Sequence, residues 1–436
     1  MSRKTGARDL PTTLAPSPVI RKTPVLGIPA VVNSLEGLAT VARQIASYSG
    51  PVAIDTERAS AFRYDDRAFL IQLKRDDSPV FLVAPEGLRT ETQKYLAPVL
   101  NEADWVLHAA ASDLPSLSML GLHPRNLFDT EIAARLLGFS HPNLSAMTEH
   151  FLGFRLAKGQ SADDWSATPL TTSQRSYAAL DVESLLDLAH QLEHALATAN
   201  KSAWQTQECA EIVRRFSTLP QFPQRDWSGM KGINRITSRR KLAAARDMWK
   251  LREQLAQRRD VAPGKLLSNK ALLDLANALP SSISAAKRLP ALRSSRPQML
   301  GQFLAAAHAA AQAPPSTDLE LDRKRTTIPS AQQLRKDYPE LAKVLEHIRI
   351  GLAERAESLA VQRDCIATAT QLRTAVWNLY ENSLLPHSFE EAGSSLADVI
   401  SSDVKNILTQ LGSRPWQIEI LAPLFTTHCD YQTLEP

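Results

Sequence analysis

The spacing of apolar residues along this chain changes twice, and the changes divide it into parts of different build. The first 28 residues hold four prolines and no periodicity, which predicts a flexible basic arm. From about residue 32 the spacing becomes regular. SLEGLATVARQIA has the repeat of an amphipathic helix, whereas PVAID, AFLIQLK and PVFLVA are short apolar or alternating runs between charged turns, as in strands. A helix over about 89–101, a strand WVLH at 105–108, a helix SDLPSLSML closed by Gly121, and an extended NLFDT before a helix EIAARLL follow. Strands interleaved with helices predict an α/β domain over 29–210, finished by one long helix from near Thr172 to about Ala199.

Beyond Asn200 the strand pattern stops. The remainder reads as helices, broken at Pro220 to Pro223, at Pro263 and Gly264, at Pro280, at Pro290 and at Ala313 to Ser316. The segments 240–305 and 338–430 are of similar size, which raises the expectation of two related helical modules. With 436 residues the chain is long enough for several cores. The expected order is the arm at 1–28, the α/β domain at 29–210, a basic linker and helical domain at 211–312, a linker at 313–330 and a second helical domain at 331–436.

Charge makes this division chemical. The net +4 is a sum of unlike parts: +4 over 1–28, −8 over 29–210, +13 over 211–300 and −5 over 301–436. A stretch at +13 is the footprint of something that meets phosphate, or else the solvated face of a basic helical domain. Cys209, Cys365 and Cys429 lie far apart with no CxxC spacing, which disfavours a disulfide framework or a zinc site and suits small buried hydrophobes. No apolar run reaches the roughly 18 residues of a membrane span, and the start has no apolar core of a signal peptide, so a cytoplasmic protein without a membrane partner is expected. Neither GxGxxG after a strand nor GxxxxGK[ST] occurs, so no nucleotide cofactor is expected.

Carboxylates carry the candidate chemistry. In VAIDTE a buried run ends in Asp55 and Glu57, which period-two geometry places on one strand face. Two acids side by side at a core repel unless a cation lies between them; the alternative is that one points to solvent at the strand end. Asp113, in HAAASDLPSL, stands where a strand gives way to a helix, and a helix N-cap is an equal reading. In TTSQRSYAALDVESLLDLAHQL, Thr171 and Gln174 form the pattern of a capping box. Asp181 falls on the stripe of Ala178, Leu185, Leu188 and Leu192, and Tyr177 lies one turn earlier on the same side. A carboxylate in such a stripe needs a cation or a hydrogen-bond network, a core aspartate bonded to tyrosine or backbone being the alternative. Together the four acids suit a pair of hard divalent cations, Mg²⁺ or Mn²⁺, and in-line hydrolysis of a phosphodiester.

AIDTE, HAAASDL, FDTEIAARLLG and DDWSATPLTTSQRSYAALD, in that order over about 30–200, resemble the ribonuclease D family, the tyrosine-type branch of the DEDD exonucleases. The resemblance implies a ribonuclease H-like fold, a mixed sheet flanked by helices, and release of nucleoside 5′-monophosphates from RNA 3′ ends. It implies Asp55, Glu57, Asp113 and Asp181 as metal ligands and Tyr177 as the group that orients the attacking water, with Asp129 and Trp165 structural. Thr168 departs from the family, where arginine often precedes Pro-Leu. His108 and His123 are poor candidates for a base, since the histidine-type branch would need His near Tyr177.

RRKLAAARDMWKLREQLAQRRDVAPGKLLSNKALLDLANALP resembles the HRDC module, a small all-α bundle that holds nucleic acid, in its Trp249, Arg252, Ala256, Asp260, Pro263, Leu267, Leu272, Ala276 and Pro280. Asn269 is read there as a helix cap. By charge, Lys231, Arg235, Arg239, Arg240, Lys241, Arg258 and Arg259 are the candidate phosphate contacts. The segment 331–436 resembles a second, diverged HRDC copy only weakly; its negative charge suits packing or positioning, and Trp377 and Trp416 are expected in its core. The reading is a metal-dependent 3′-5′ exoribonuclease acting on single-stranded RNA ends such as tRNA precursors. A DNA exonuclease and a non-catalytic RNA-binding adaptor are the alternatives, because carboxylates do not read the sugar.

Overall fold

The computed structural model describes residues 19–157, 159, 162–217, 226–313, 328–382 and 396–427. Its front part is a mixed six-stranded sheet in the order β2-β5-β4-β3-β6-β7, formed by β2 (Val31–Val32), β3 (Val52–Arg58), β4 (Ala68–Arg75), β5 (Phe81–Val83), β6 (Asp104–Leu107) and β7 (Asn126–Asp129). β3 is central: antiparallel to β4 and parallel to β6. Alternation along it sorts its side chains. Val52 and Ile54 pack with Leu38, Val41 and Ile45 of α1 (Leu35–Ser47), Leu96 and Leu100 of α2 (Arg89–Leu100) and Leu114 and Leu117 of α3 (Leu114–Ser118). Ala53 faces the other way, toward α4 (Thr130–Leu136) and Met147 of α5 (Leu144–Leu152). The expected sheet flanked by helices is therefore present.

Residues 19–28 differ from the flexible arm read in the sequence, while residues 1–18 lie outside the described residues. β1 (Val19–Arg21) pairs parallel with β8 (Phe154–Leu156), and the Arg21 guanidinium lies 3.7 Å over the Phe154 ring and 3.5 Å from Glu183. The long helix expected from Thr172 to Ala199 is two helices, α6 (Thr172–Glu183) and α7 (Leu185–Thr198), because Ser184 leaves helical geometry at φ −113°, ψ 13°. Ser184 is buried there and accepts a hydrogen bond from Arg21 Nη1 at 3.2 Å. The expected stripe is cut accordingly: Ala178 packs with Leu70, Leu82 and Trp165, whereas Leu185, Leu188 and Leu192 join the core of α4. This break lets α6 cross β3 and β4 while α7 runs along α4 and α5.

α8 (Ser202–Ser217) closes the front domain, with Phe216 in the α1–α3 core. The +13 segment builds a separate bundle around α9 (Arg239–Arg259), α10 (Pro263–Leu266), α11 (Asn269–Ala278), α12 (Ile283–Ala286) and α13 (Pro297–Gln312), with Met248, Leu272, Leu275 and Phe303 central. Trp227, Met230, Ile233 and Ile236, in the stretch read as linker, belong to this core. Asn269 is not the cap expected. Ser268 caps α11, its Oγ accepting from Ala271 N, and Asn269 Oδ1 accepts from the buried Arg252 at 2.8 Å. The bundle docks on the loop after β3: Asp260 accepts from Arg67 and Arg63, Ala262 N donates to Phe62 O at 3.1 Å, and Lys265 Nζ stands 4.0 Å from the Phe62 ring.

The last module comprises α14 (Ala331–Asp337), α15 (Pro339–Ser358), α16 (Arg363–Ile366), α17 (Ala369–Glu381), α18 (Leu396–Gln410) and α19 (Pro415–Thr427). It shares one core with the front domain, Leu341, Ile348 and Leu352 lying in the same apolar cluster as Ala133, Leu136 and Leu188. Glu208 accepts from Arg414 at 2.7 and 2.6 Å and from the Trp416 indole at 2.9 Å, and Trp416 stacks on Trp204 at 4.6 Å. Trp377 and Trp416 are buried, as expected. Cys209 is buried and Cys365 half-buried; Cys429 lies outside the described residues.

The two helical modules repeat one local course. A long helix ends before a non-glycine residue at positive φ (Asp260, 47°; Ala360, 46°), a four-residue helix follows (263–266; 363–366), and a hydroxyl residue caps the next helix (Ser268; Thr368), each step displaced by 100 residues. Among the described residues no helix is long and apolar enough to cross a membrane.

Candidate active site

The site forms where β3 runs out. Asp55 and Glu57 point to the face covered by α6, whose start is fixed by the Thr171–Gln174 capping box expected from the sequence. α6 brings Asp181 down onto them. One oxygen each of Asp55, Glu57 and Asp181 lie within 4.8 Å of one another. β3 carries a register irregularity between Glu57 and Arg58, where the chain turns away from β4 into the loop that docks the basic bundle.

Asp113 stands beside this trio. It follows the turn after β6 and precedes α3, and its side chain makes no cap bond, so the N-cap reading does not hold. Its Oδ1 instead accepts from Thr56 Oγ1 at 2.7 Å, the residue between Asp55 and Glu57 whose side chain points to the opposite face. Asp129 holds that turn, as a structural residue would: besides capping α4, its carboxylate accepts from Ala109 N at 3.1 Å and Ala110 N at 2.8 Å.

Electrostatics show what the cluster lacks. Burial pushes the Asp55 carboxyl well above its usual range, and the charges of Asp113, Asp181 and Glu57 push it further. Glu57 is raised by burial and then by Asp181 and Asp113. Asp181 is raised by burial against the opposing hydrogen bond from Tyr177, and Asp113 by burial against that from Thr56. Arg58 is the cation that pulls Asp55, Glu57 and Asp113 back, but it is engaged with Ser112 O at 2.7 Å and Asp66 at 3.2 Å. Four acids short of positive charge, all oxygen donors, fit a hard divalent cation.

Tyr177 is where the sequence placed it, one turn before Asp181. Burial and the charges of Asp181, Glu57 and Asp55 hold its hydroxyl far above the ordinary phenol range, so it stays protonated and acts as a donor. Trp165 backs its ring, centroids 6.1 Å apart. On another side Gly159 touches the same ring: a β-carbon at that position would overlap Tyr177, so only glycine passes. Gly159, Thr56 and Arg58 were not singled out in the sequence; for Thr56 the only signal was its place between two acids. His108 is half-buried, and desolvation lowers it to about 4, with Nδ1 2.9 Å from Thr130 Oγ1.

The basic candidates fall into two groups. Lys231, Arg235, Arg239, Arg240 and Lys241 gather at the start of α9, and Arg258 and Arg259 lie in its last turn. At 1.5 Å per residue the groups are separated by roughly 27 Å. All are exposed except the half-buried Lys241. Three cations in the first turn oppose the helix dipole, so they do not serve the helix itself.

Residues 29–197 match a family model described as 3′-5′ exonuclease, 241–307 one described as HRDC domain, and 327–429 one described as 3′ to 5′ exonuclease C-terminal domain. The ribonuclease D of Jannaschia sp. is 29% identical over 332 residues, 74% of this chain and 82% of that protein; the ribonuclease D of Nitrobacter hamburgensis is 30% identical over 61% of this chain and 68% of that protein. Among solved structures, a protein from Bifidobacterium adolescentis superposes with a TM-score of 0.76 at 28% identity, over 95% of this chain and all of that one. Escherichia coli RNase D, at a TM-score of 0.61 and 22% identity over 87% of this chain and 98% of that one, shares the fold. With an acid-lined exonuclease domain that such relatives match well beyond its own limits, this chain belongs to the ribonuclease D family and is a 3′-5′ exoribonuclease.

Proposed function

We propose that the enzyme hydrolyses RNA from single-stranded 3′ ends by a two-cation mechanism, with Asp55, Glu57, Asp113 and Asp181 as ligands of Mg²⁺ or Mn²⁺, releasing nucleoside 5′-monophosphates. The observation that carries this reading is the convergence of Asp55, Glu57 and Asp181 within 4.8 Å with their charge uncompensated. The four carboxylates would hold the cations, which would supply Lewis-acid activation of a water and charge neutralisation for the phosphodiester. The chain's own residues do the positioning. Thr56 holds the Asp113 carboxylate in its orientation, and Asp129 holds the turn that carries it. Tyr177, protonated and donating its one O–H to Asp181, presents its hydroxyl oxygen as an acceptor that aligns the attacking water; Trp165 and Gly159 fix its ring.

RNA with a free 3′ end, tRNA precursors among them, is the substrate class we infer. The bundle at 241–307 supports it, since Arg239 and Arg240 at the start of α9 are exposed, Lys241 beside them is half-buried, and none of the three is joined to a described acid. The last module repeats the HRDC course of helices and is welded to the exonuclease domain, which supports a diverged copy turned to positioning.

The test uses a 5′-labelled single-stranded RNA and its DNA counterpart with Mg²⁺ or Mn²⁺, beside an EDTA control and Asp181→Asn. A ladder shortening from the 3′ end, metal-dependent, lost in Asp181→Asn and faster on RNA, is expected. RNA bound but never trimmed would install the adaptor reading, and DNA trimmed equally well the DNA exonuclease.

A further inference from the structure

A buried polar group with nothing to bond lies next to the acids. Gln72 sits on β4 directly opposite Asp55 in the antiparallel register, with Leu82 of β5 on its other side. Residues opposite each other in a sheet project to one face, their β-carbons about 4.5–5.5 Å apart. Gln72 therefore shares the face of Asp55 and Glu57, beneath α6. It is 0% exposed, and neither Nε2 nor Oε1 has a hydrogen-bond partner among the described residues. On that face its neighbours Leu70 and Leu82 are wholly buried in an apolar cluster with Trp165 and Ala178 and offer it nothing, while Lys74, two residues along β4, turns its Nζ to Asp76 O and Ser78 O.

A buried amide without partners weakens a fold that an apolar side chain of the same length would strengthen. Such a group is explained when a partner arrives with a ligand. Asp55 is the polar side chain across the strand pair, and a carboxylate that binds a cation through one oxygen leaves the other to be held. We propose that Gln72 is a positioning residue for Asp55: Nε2 donates to the oxygen of Asp55 turned away from the cations and thereby selects the oxygen presented to them. Partners of this kind set ligand orientation and affinity without touching the metal. The inference rests on the divalent-cation reading above.

Full-length Gln72→Met and Gln72→Asn are compared with wild type by calorimetric titration with Mn²⁺ and by thermal melting in EDTA, with Asp181→Asn as the control that removes a ligand. Gln72→Met should melt above wild type in EDTA, because the unbonded amide is gone, yet bind Mn²⁺ on the order of 10-fold more weakly or worse. Gln72→Asn, which keeps the amide one methylene short, should also lose Mn²⁺ affinity, and it decides the matter if the methionine variant does not fold. Wild-type Mn²⁺ affinity in either variant overturns the role. A lower melting temperature of Gln72→Met in EDTA also does, since the amide then has a partner without the metal. Should wild type itself bind no Mn²⁺, the cation reading falls first and takes this one with it.

Discussion

Replacing Asp181 by asparagine should make the metal-free protein more stable while abolishing its activity. The Asp181 carboxyl is raised from 3.8 to about 7, burial leading and Asp113 adding. At pH 8.5 it is ionised all the same, and each unit of the shift is about 1.4 kcal/mol of strain on the folded state, so roughly 4 kcal/mol bounds the effect. Asp181 keeps some solvent contact, and its repulsion is shared with the other acids, which brings the expected gain to about 2 kcal/mol. For a unit of this size that is about 4–8 °C in melting temperature. Asparagine still accepts the Tyr177 hydroxyl, so no new unbonded group offsets the gain. Differential scanning fluorimetry at pH 8.5 in EDTA reads it directly, and a second scan in Mn²⁺ should reverse the ranking, since a ligand at 100 times its Kd adds about 2.7 kcal/mol to wild type alone. Asp181→Asn melting at or below wild type in EDTA would refute the view that the acids repel one another in a site built for cations.

The same raised carboxyls fix the pH response of the wild type. Groups whose folded pKa is raised give stability that is complete below pH 4 and lost as pH climbs from there to the folded values, about 6 for Asp113, about 7 for Asp181 and about 9 for Glu57, so the melting temperature in EDTA should fall between pH 4 and 9, most steeply below pH 6 where all three groups contribute, and Mn²⁺ should flatten that fall. Gly159→Ala should cut kcat by 10-fold or more by pushing Tyr177 aside, with the melting temperature nearly unchanged; equal activity would show that the Tyr177 ring need not stay where it is. Glu208→Ala strips Arg414 and the Trp416 indole of their acceptor and should cost about 3 kcal/mol in urea denaturation, whereas a loss below 1 kcal/mol would mean that the apolar core alone joins the last module to the first. Changing Arg239, Arg240 and Lys241 together to alanine should weaken RNA binding and lower the salt slope by about 2, at the single-strand value per phosphate; an unaltered slope would remove the start of α9 from the RNA path.

The acids were legible because a strand has period two: once VAIDTE was read as a strand, Asp55 and Glu57 had to share a face. The start of α6 was legible because a capping box is a local pattern. The break at Ser184 was not, since ESLL continues a helical repeat without proline or glycine, and only the tertiary demand to cross the sheet with α6 and follow α4 with α7 interrupts it. Asp113 was read as open between cap and ligand; the deciding fact, a hydrogen bond from Thr56, joins residues 57 apart. Gln72 inside AFLIQLK looked like one polar residue in an apolar strand, and nothing local says that its neighbour across the sheet is an acid. Asn269 was misread because Ser268 and Asn269 are equally good caps, and the choice follows from where Arg252 needs an acceptor.

The apolar cluster that runs from α4 and α7 into α15 has a consequence for anyone who wishes to cut the enzyme down. A fragment ending after α8 would hold every acid of the site and still lay open the apolar cluster it shares with α15, while Glu208 and Trp204 lost their cover. The basic bundle, with a core of its own, could be deleted with far less exposure. The smallest fragment that keeps the shared core closed is thus not a continuous stretch of sequence: it joins the exonuclease domain to the last module without the basic bundle between them.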